Sequence, residues 1–221
     1  LMAGTGVESV RETVELTNAA AARGYKAAMV RTPFYYRNII ARPDSQLLYF
    51  RAVADQVKIP IMIYNWPQAT GVDIPVETVV ALSEHPNIFA IKESSGNLEK
   101  MIQMLQLVKP GFQVFNGSAP ILAPALGIGC SGGVLAFANA APYACVTIWE
   151  AHRMREPEAA MDWQKRILRA AQLVTVKYGV PGLKYAMDLN GYYGGHPRLP
   201  LVPITPEAKK EIELAFDGLK G

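Results

Sequence analysis

Long apolar runs and cysteines are both scarce in this chain of 221 residues. No segment approaches the roughly 20 consecutive apolar residues of a membrane-spanning helix, and no basic segment followed by an apolar one opens the chain as in a secretory signal. The two cysteines, Cys130 and Cys145, are too few for a disulfide framework and lack metal-binding spacing. We therefore expect a cytoplasmic protein with two reduced, buried thiols and no membrane partner.

An excess of one charge and clusters of metal-binding residues are also lacking. The 22 basic and 19 acidic residues are dispersed, and the longest basic cluster is Lys209-Lys210, so the sequence shows no nucleic-acid-binding patch. The three histidines do not group with one another or with carboxylates at ligand spacing: His85, His152 and His196. The sequence therefore predicts neither a metal site nor a histidine-based catalytic triad.

The chain does contain a regular alternation of short apolar runs with amphipathic segments. The runs KAAMV, IPIMIY, IFAIK, FQVF and GGVLAFA have the length of buried parallel strands. Between them, apolar residues recur at helical spacing, as at Met101, Leu105 and Val108. Strand and helix alternate without a hairpin signal, which predicts repeated βαβ units. Counting from LMAGTG, six strands precede Ala141, which suffices for an open sheet, whereas a closed barrel needs eight.

The pattern changes near the C-terminus and is cut short at the N-terminus. After Glu156 only helical periodicity remains, so we predict an α/β portion over residues 1–155 and a helical appendix over residues 156–221. Leu1 opens on what reads as the end of a strand, so we expect the chain to begin inside a longer protein.

Ser9 and Glu12 form a capping box that predicts the start of the first helix, and Gly24 is placed to close it.

The residues that could carry chemistry stand at the ends of the predicted strands. Lys92 closes IFAIK, where a buried amine would have a lowered pKa and could attack a carbonyl. The alternative is a lysine that reaches solvent or pairs with Glu93. Tyr64 and Tyr35 stand one and two units earlier, and each could instead be a rim or core tyrosine.

The spacing of these residues favours a shared site. Tyr35, Tyr64, Lys92 and Gly117 follow one another at intervals of about 25–29 residues, close to one βα unit. They therefore fall at the same end of successive parallel strands, where barrels and open sheets both place their active sites. For Gly117 taken alone, ordinary turn chemistry is the better explanation.

Five segments carry a family resemblance: TPFYY, IMIYNWPQATGVDIP, HPNIFAIKESSGNLEKM, FQVFNGS and GGVLAFAN. In order and spacing they resemble the dihydrodipicolinate synthase / N-acetylneuraminate lyase family of pyruvate-dependent class I aldolases. The resemblance implies a (β/α)8 TIM barrel, lacking its first two βα units in this chain, with a C-terminal helical appendix and homotetrameric assembly. It also implies a small 2-oxo acid substrate and no cofactor, because the chemistry runs through a covalent imine.

The resemblance assigns a role to each matching position. Lys92 matches the Schiff-base lysine and Tyr64 the general acid/base, while Tyr35 matches a proton-relaying tyrosine that in many members enters a neighbouring subunit's site. Three further positions match residues lining the pyruvyl pocket: Ser94, Gly117 and Val134.

Other positions bear on the substrate. Ala69 stands where lysine-pathway synthases carry an arginine, whereas GLK, GYYGG, FYY and the serine in KESSG favour the 4-hydroxy-2-oxoglutarate aldolase branch. We therefore predict cleavage of a 4-hydroxy-2-oxo acid to pyruvate and an aldehyde. The alternatives are dihydrodipicolinate synthase, for which Arg31, Arg37 or Arg42 would have to supply the missing cation, and a catalytically inactive barrel serving as a binding module.

Overall fold

In the computed structural model, which describes residues 1–219, strands and helices alternate along the first part of the chain. The strands are β1 Met2–Gly4, β2 Ala27–Arg31, β3 Ile61–Asn65, β4 Ile88–Glu93, β5 Gln113–Asn116 and the two-residue β6 Gly132–Gly133. The central strands are almost fully buried and are apolar except near their C-terminal ends, where Asn65, Lys92 and Glu93 lie, which matches the apolar runs expected of parallel strands.

The helices follow in chain order. They are α1 Val10–Ala22, α2 Arg37–Ile40, α3 Pro43–Ala54, α4 Pro67–Thr70, α5 Val76–Ser83, α6 Leu98–Leu107, α7 Leu122–Gly127, α8 Pro142–Arg153, α9 Pro157–Gln172, α10 Gly179–Leu189 and α11 Pro206–Ala215. Short 3-10 turns cover Ala119–Ile121 and Ala136–Asn139, and a π-helical turn, Leu173–Lys177, follows α9.

Local signals explain where α1 begins and ends. The backbone N–H of Glu12 donates to Ser9 Oγ at 3.1 Å, and Ser9 Oγ donates to the Glu12 carboxylate at 2.9 Å. Gly24 follows the helix with φ of +86°, a conformation that glycine adopts without steric cost. Ser9 is therefore confirmed as the N-cap and Gly24 as the closing glycine, while the Glu12 carboxylate accepts from the Ser9 hydroxyl and not from the backbone N–H of a full capping box.

Strands β1 to β5 pair in parallel, each with the next along the chain. The register places Arg31 beside Tyr64, Tyr64 beside Lys92, and Lys92 beside Phe115. Adjacent strands lie about 4.8 Å apart, so residues that are 28 positions apart in the chain, such as Tyr64 and Lys92, become direct neighbours.

The described residues form two compact units. The first comprises Leu1–Asn116 with Gly129–Ser131, and its core is built from strand residues such as Val30, Ile63 and Ile91. The second comprises Gly117–Ile128 with the described residues from Gly132 onward. Its core includes Phe137 and Phe216, whose rings lie 5.8 Å apart.

These observations confirm the α/β class and the six strands counted in the sequence. From Glu156 to Leu219 the chain forms only helices and loops, although the division at residue 155 stays a prediction, as do the closed barrel and the two missing units. Both cysteines are free and buried. Within residues 1–219, no helix combines the length and apolarity needed to cross a membrane.

Candidate active site

Lys92 is the penultimate residue of β4 and is 9% exposed. Burial lowers the pKa of its ammonium from 10.5 to about 8, because the charged form loses its hydration. At pH 7 roughly one amine in ten is then neutral, compared with fewer than about one in a thousand at the ordinary pKa. No carboxylate among residues 1–219 pairs with Lys92. The alternative of a Lys92–Glu93 ion pair is therefore wrong.

Tyr64 is the neighbour of Lys92 on β3. The Lys92 Nζ lies 4.0 Å from the centroid of the Tyr64 ring, within range of a cation–π contact. Burial raises the pKa of the Tyr64 phenol above its usual 10.0, and the nearby Ser94 hydroxyl partly offsets that rise. Ser94 Oγ is buried and forms no hydrogen bond of normal geometry with the described part of the chain. The structure therefore brings Lys92, Tyr64 and Ser94 together, with the buried Ser94 hydroxyl beside the Tyr64 phenol.

The segment after Tyr64 borders this site, which the sequence did not reveal. The Trp66 ring stacks on the Tyr64 ring with centroids 6.2 Å apart and an interplanar angle of 14°. Two residues later, Gln68 Nε2 donates to the Ser95 carbonyl oxygen at 2.7 Å. The loops that follow β3 and β4 are therefore linked by a side chain beside the candidate site.

A buried polar network, which we call the brace, lies beside the same strand ends and consists of Asn65, Asp73, Glu93 and Lys100. The Glu93 carboxylate is fully buried and accepts from Ser95 N at 2.7 Å and from Asn65 Nδ2 at 2.8 Å, while Lys100 Nζ lies 3.4 Å away. Lys100 Nζ also donates to Asp73 Oδ1 at 2.5 Å. Glu93 points away from Lys92 because successive strand side chains alternate between faces.

Sequence reasoning missed the brace, although one signal was present. A glutamate inside a buried strand must be paired, because an isolated buried charge is costly. The partner, Lys100, lies in α6 and could not be chosen from the sequence without the fold.

Tyr35 lies apart from Lys92 and Tyr64 in the loop after β2. Its side chain is 76% exposed, and its hydroxyl forms no hydrogen bond to any of residues 1–219. Its backbone, however, is held. Glu8 Oε2 accepts from Phe34 N and from Tyr35 N, both at 3.0 Å, and Glu8 Oε1 accepts from Arg31 Nη1 at 3.1 Å.

The hydrogen bonds that hold the backbone of Phe34 and Tyr35 depend on an ionised Glu8 carboxylate. Partial burial raises the pKa of Glu8, but the two backbone N–H groups and Arg31 outweigh it, so the pKa falls below 4.5. Glu8 therefore stays charged at neutral pH and holds the Tyr35 backbone.

The remaining predicted pocket residues, Gly117 and Val134, belong to the second compact unit, and their role stays a prediction. No group of three or more His, Cys, Asp or Glu side chains within residues 1–219 is arranged to hold a metal ion.

Comparison with known proteins agrees with this geometry. The profile of the Dihydrodipicolinate synthetase family matches residues 1–217. The chain belongs to that family. It is 36% identical over 217 residues to a 4-hydroxy-tetrahydrodipicolinate synthase of Exiguobacterium sp., covering 98% of this chain and 73% of that protein. It is also 36% identical over 217 residues to a probable mitochondrial 4-hydroxy-2-oxoglutarate aldolase of Emericella nidulans, covering 98% and 70%.

A solved structure supports the same family assignment. YagE of E. coli K12, a prophage protein of the dihydrodipicolinic acid synthase family crystallised in complex with pyruvate, superimposes with a TM-score of 0.90 at 28% identity. The match covers 99% of this chain and 74% of YagE.

As a member of the dihydrodipicolinate synthetase family, the chain is an enzyme of the class I aldolase type, a lyase. The family uses pyruvate Schiff-base chemistry without a cofactor, as the sequence predicted. The relatives carry names of two different reactions, so membership of the family leaves the particular reaction open.

Proposed function

We propose that this enzyme is a Schiff-base aldolase that cleaves a 4-hydroxy-2-oxo acid, of the size of 4-hydroxy-2-oxoglutarate, to pyruvate and an aldehyde. The observation that carries the proposal is the contact between Lys92 and Tyr64, a buried amine with a lowered pKa against a buried phenol with a raised one. An amine that is partly neutral can attack a ketone, and a phenol that keeps its proton can donate it.

The proton transfers follow from these two states. Neutral Lys92 attacks the C2 carbonyl of the substrate, and Tyr64 donates its proton to the carbinolamine hydroxyl, which leaves as water. The resulting phenolate is stabilised by the iminium cation beside it. It then takes the proton of the C4 hydroxyl as the C3–C4 bond breaks, which releases the aldehyde and leaves an enamine. Protonation of the enamine at C3 and hydrolysis of the imine release pyruvate and regenerate Lys92.

Other residues have supporting roles in this proposal. The Ser94 hydroxyl is buried beside the Tyr64 phenol and makes no hydrogen bond of ideal geometry with the described residues, so it has capacity left to bind a substrate oxygen. Gly117 and Val134 match pyruvyl-pocket positions of the family, and Tyr35, which is exposed in this chain, matches the tyrosine that relays protons and in many members enters a neighbouring subunit's site. The closed (β/α)8 barrel and the homotetramer, both implied by the family resemblance, belong to the same proposal.

The alternative reaction is the condensation of pyruvate with aspartate semialdehyde. It is favoured by relatives that carry the name 4-hydroxy-tetrahydrodipicolinate synthase. Against it stands Ala69, whose methyl side chain provides no cation at the position where such synthases hold the semialdehyde carboxylate. Parallel assays of the enzyme with 4-hydroxy-2-oxoglutarate and with pyruvate plus aspartate semialdehyde separate the two reactions.

Trapping of the imine tests the shared chemistry. Incubation with pyruvate and borohydride should add one reduced pyruvyl group, detected by intact-mass spectrometry and mapped to Lys92. Lys92→Ala should abolish the adduct, whereas Lys109→Ala, which removes an exposed lysine, should retain it. A well-folded, active enzyme without an adduct would exclude the imine mechanism, and an enzyme without either activity would favour the binding-module alternative.

A further inference from the structure

The proposed substrate carries a second negative charge, for which the mechanism above provides no cation. A 4-hydroxy-2-oxo acid of the glutarate type has a second carboxylate, beyond the carbon that carries the hydroxyl. Burying it against the protein requires a cation or several hydrogen-bond donors, because an unpaired carboxylate in a pocket is costly. Ala69 supplies neither, so the cation must come from elsewhere. This inference rests on the proposed function and names the residue that would recognise the distal carboxylate.

Most cations near the ends of β2, β3 and β4 already have partners. Arg31 pairs with Glu8 at 3.1 Å, and its guanidinium lies 4.6 Å from the Phe34 ring centroid. Lys100 is bound within the brace. Arg42 binds both oxygens of Asp44, at 3.2 and 2.8 Å. These groups are committed to interactions within the protein.

Arg37 differs from them. It begins α2, in the loop that follows β2, and it forms no ion pair with any acidic residue among residues 1–219. The residue is exposed to solvent, so an anion can reach it. Of the three arginines that the sequence suggested as sources of the missing cation, it is the one left unpaired.

Arg37 also lies beside the turn that contains Ala69, the position that lacks a cation. A Cβ atom placed on Gly71 would meet Arg37 Cδ at 2.9 Å and Arg37 Nη1 at 3.0 Å. Gly71 ends α4 with φ of +67°, only two residues after Ala69. The guanidinium therefore packs against the turn that carries Ala69, and the absence of a side chain at Gly71 makes room for it.

The same turn also contacts the loop after Lys92. Gln68 Nε2 donates to the Ser95 carbonyl oxygen at 2.7 Å, and Ser95 follows Ser94 directly. The turn thus links the Arg37 guanidinium to the loop that carries Ser94. We propose that Arg37 binds the distal carboxylate of the dicarboxylic 2-oxo acid substrate. A guanidinium suits this role because its planar fork donates two hydrogen bonds to one carboxylate.

A comparison of two substrates tests the proposal. Steady-state cleavage of 4-hydroxy-2-oxoglutarate is measured beside cleavage of 4-hydroxy-2-oxopentanoate, in which a methyl group replaces the distal carboxylate. For Arg37→Met we expect KM for the dicarboxylate to rise about 10- to 100-fold, the loss typical of a charged hydrogen bond. KM for the monocarboxylate should change far less, so the preference for the dicarboxylate should collapse.

Matched variants complete the experiment. Arg42→Met removes an exposed arginine from the same loop that is already paired, and it should leave the preference as in the wild type. Arg37→Lys keeps the charge but loses the fork, so an intermediate preference is expected, and this variant decides the question if Arg37→Met does not fold. An unchanged substrate preference in the folded Arg37 variants would overturn the proposal.

Borohydride trapping with pyruvate, which has no distal carboxylate, reports on the proposed function separately. If the wild-type enzyme forms no adduct, the imine chemistry is rejected, whereas the role of Arg37 is judged by the substrate preference alone.

Discussion

At the scale of single residues, the depressed pKa of Lys92 has a thermodynamic cost. An ammonium whose pKa is about 8 in the folded state and 10.5 in the unfolded state destabilises the fold wherever it is protonated in both. That cost is complete below pH 8, shrinks as the pH rises towards 10.5, and vanishes above it. The enzyme thus gives up stability to keep a reactive amine, a common trade-off at active sites.

Lys92→Met should therefore be more stable than the wild type at pH 7, while being inactive. Its advantage should decline as the pH rises from 8 to 10.5, because the wild-type amine becomes neutral in the folded state first. Urea denaturation of both proteins across this range measures the difference. A constant difference at every pH would show that packing of the methionine, and not the desolvated charge, accounts for the gain.

Tyr64 supplies the second residue-scale prediction. Tyr64→Phe keeps the ring that stacks on Trp66 and removes the hydroxyl, so the variant should fold normally. Turnover of the 4-hydroxy-2-oxo acid should fall by about 10²–10⁴, the usual contribution of a positioned acid/base. Stopped assays of pyruvate release would measure it, with thermal denaturation as the check on folding. Near-normal turnover would remove Tyr64 from the proposed mechanism.

At the scale of secondary-structure elements, the brace joins the ends of β3 and β4 to the start of α6. Asn65 follows Tyr64 and Glu93 follows Lys92, so their hydrogen bond ties together the two strands that present the candidate catalytic pair. Lys100 neutralises Glu93 and is itself held in α6, whose first turn is capped by Asn97. The geometry of the site depends on this buried charge balance.

Lys100→Met should destabilise the protein by about 3–5 kcal/mol, because it leaves the Glu93 carboxylate buried without its cation. The double variant Glu93→Gln/Lys100→Met should lose less than the single variant, since no uncompensated charge remains. Lys109→Met, which breaks an exposed pair with Glu84, is the control and should cost at most about 1 kcal/mol. Equal losses in the control and in Lys100→Met would refute the idea that the brace carries a buried charge.

A second element-scale feature concerns the C-terminal GLK and GYYGG sequences. Lys184 Nζ donates to the Gly194 carbonyl oxygen at 2.5 Å, and Asp188 Oδ1 accepts from Gly194 N at 2.7 Å. These motifs, which favoured the hydroxy-oxoglutarate branch, hold α10 and the following loop together within the second unit. Their similarity to that branch therefore has a structural explanation that does not involve the substrate.

Gly194 should tolerate no side chain. A Cβ there would lie 1.9 Å from the Lys184 carbonyl oxygen, a backbone atom that cannot rotate away. We expect Gly194→Ala to lower the melting temperature by several degrees or more, whereas Gly127→Ala, at a helical glycine with open space around it, should be neutral or slightly stabilising. Matching melting curves for the two variants would mean that the loop moves to accommodate the methyl group.

At the scale of the whole molecule, the sequence predicted the alternation of strands and helices because short continuous apolar runs alternate with segments whose apolar residues recur about every 3.6 residues. It did not decide between an open sheet and a closed barrel, since six strands are compatible with either until their neighbours are known. The compact units also divide at residues 116 and 117, within a βα connection where no change of composition occurs. Compactness depends on contacts between distant residues, which periodicity does not record.

The candidate site shows the same division between sequence and tertiary structure. The sequence by itself determined that Lys92 and Tyr64 lie at the same end of neighbouring strands, because each residue ends an apolar run one βα unit apart. Only the tertiary structure decided which charges are paired: Glu93 with Lys100, Arg31 with Glu8, and Arg37 with no carboxylate of the described chain. Strand position is a local property that follows from hydrophobic periodicity. Charge pairing and the resulting pKa shifts depend on burial and on distances between residues far apart in the chain.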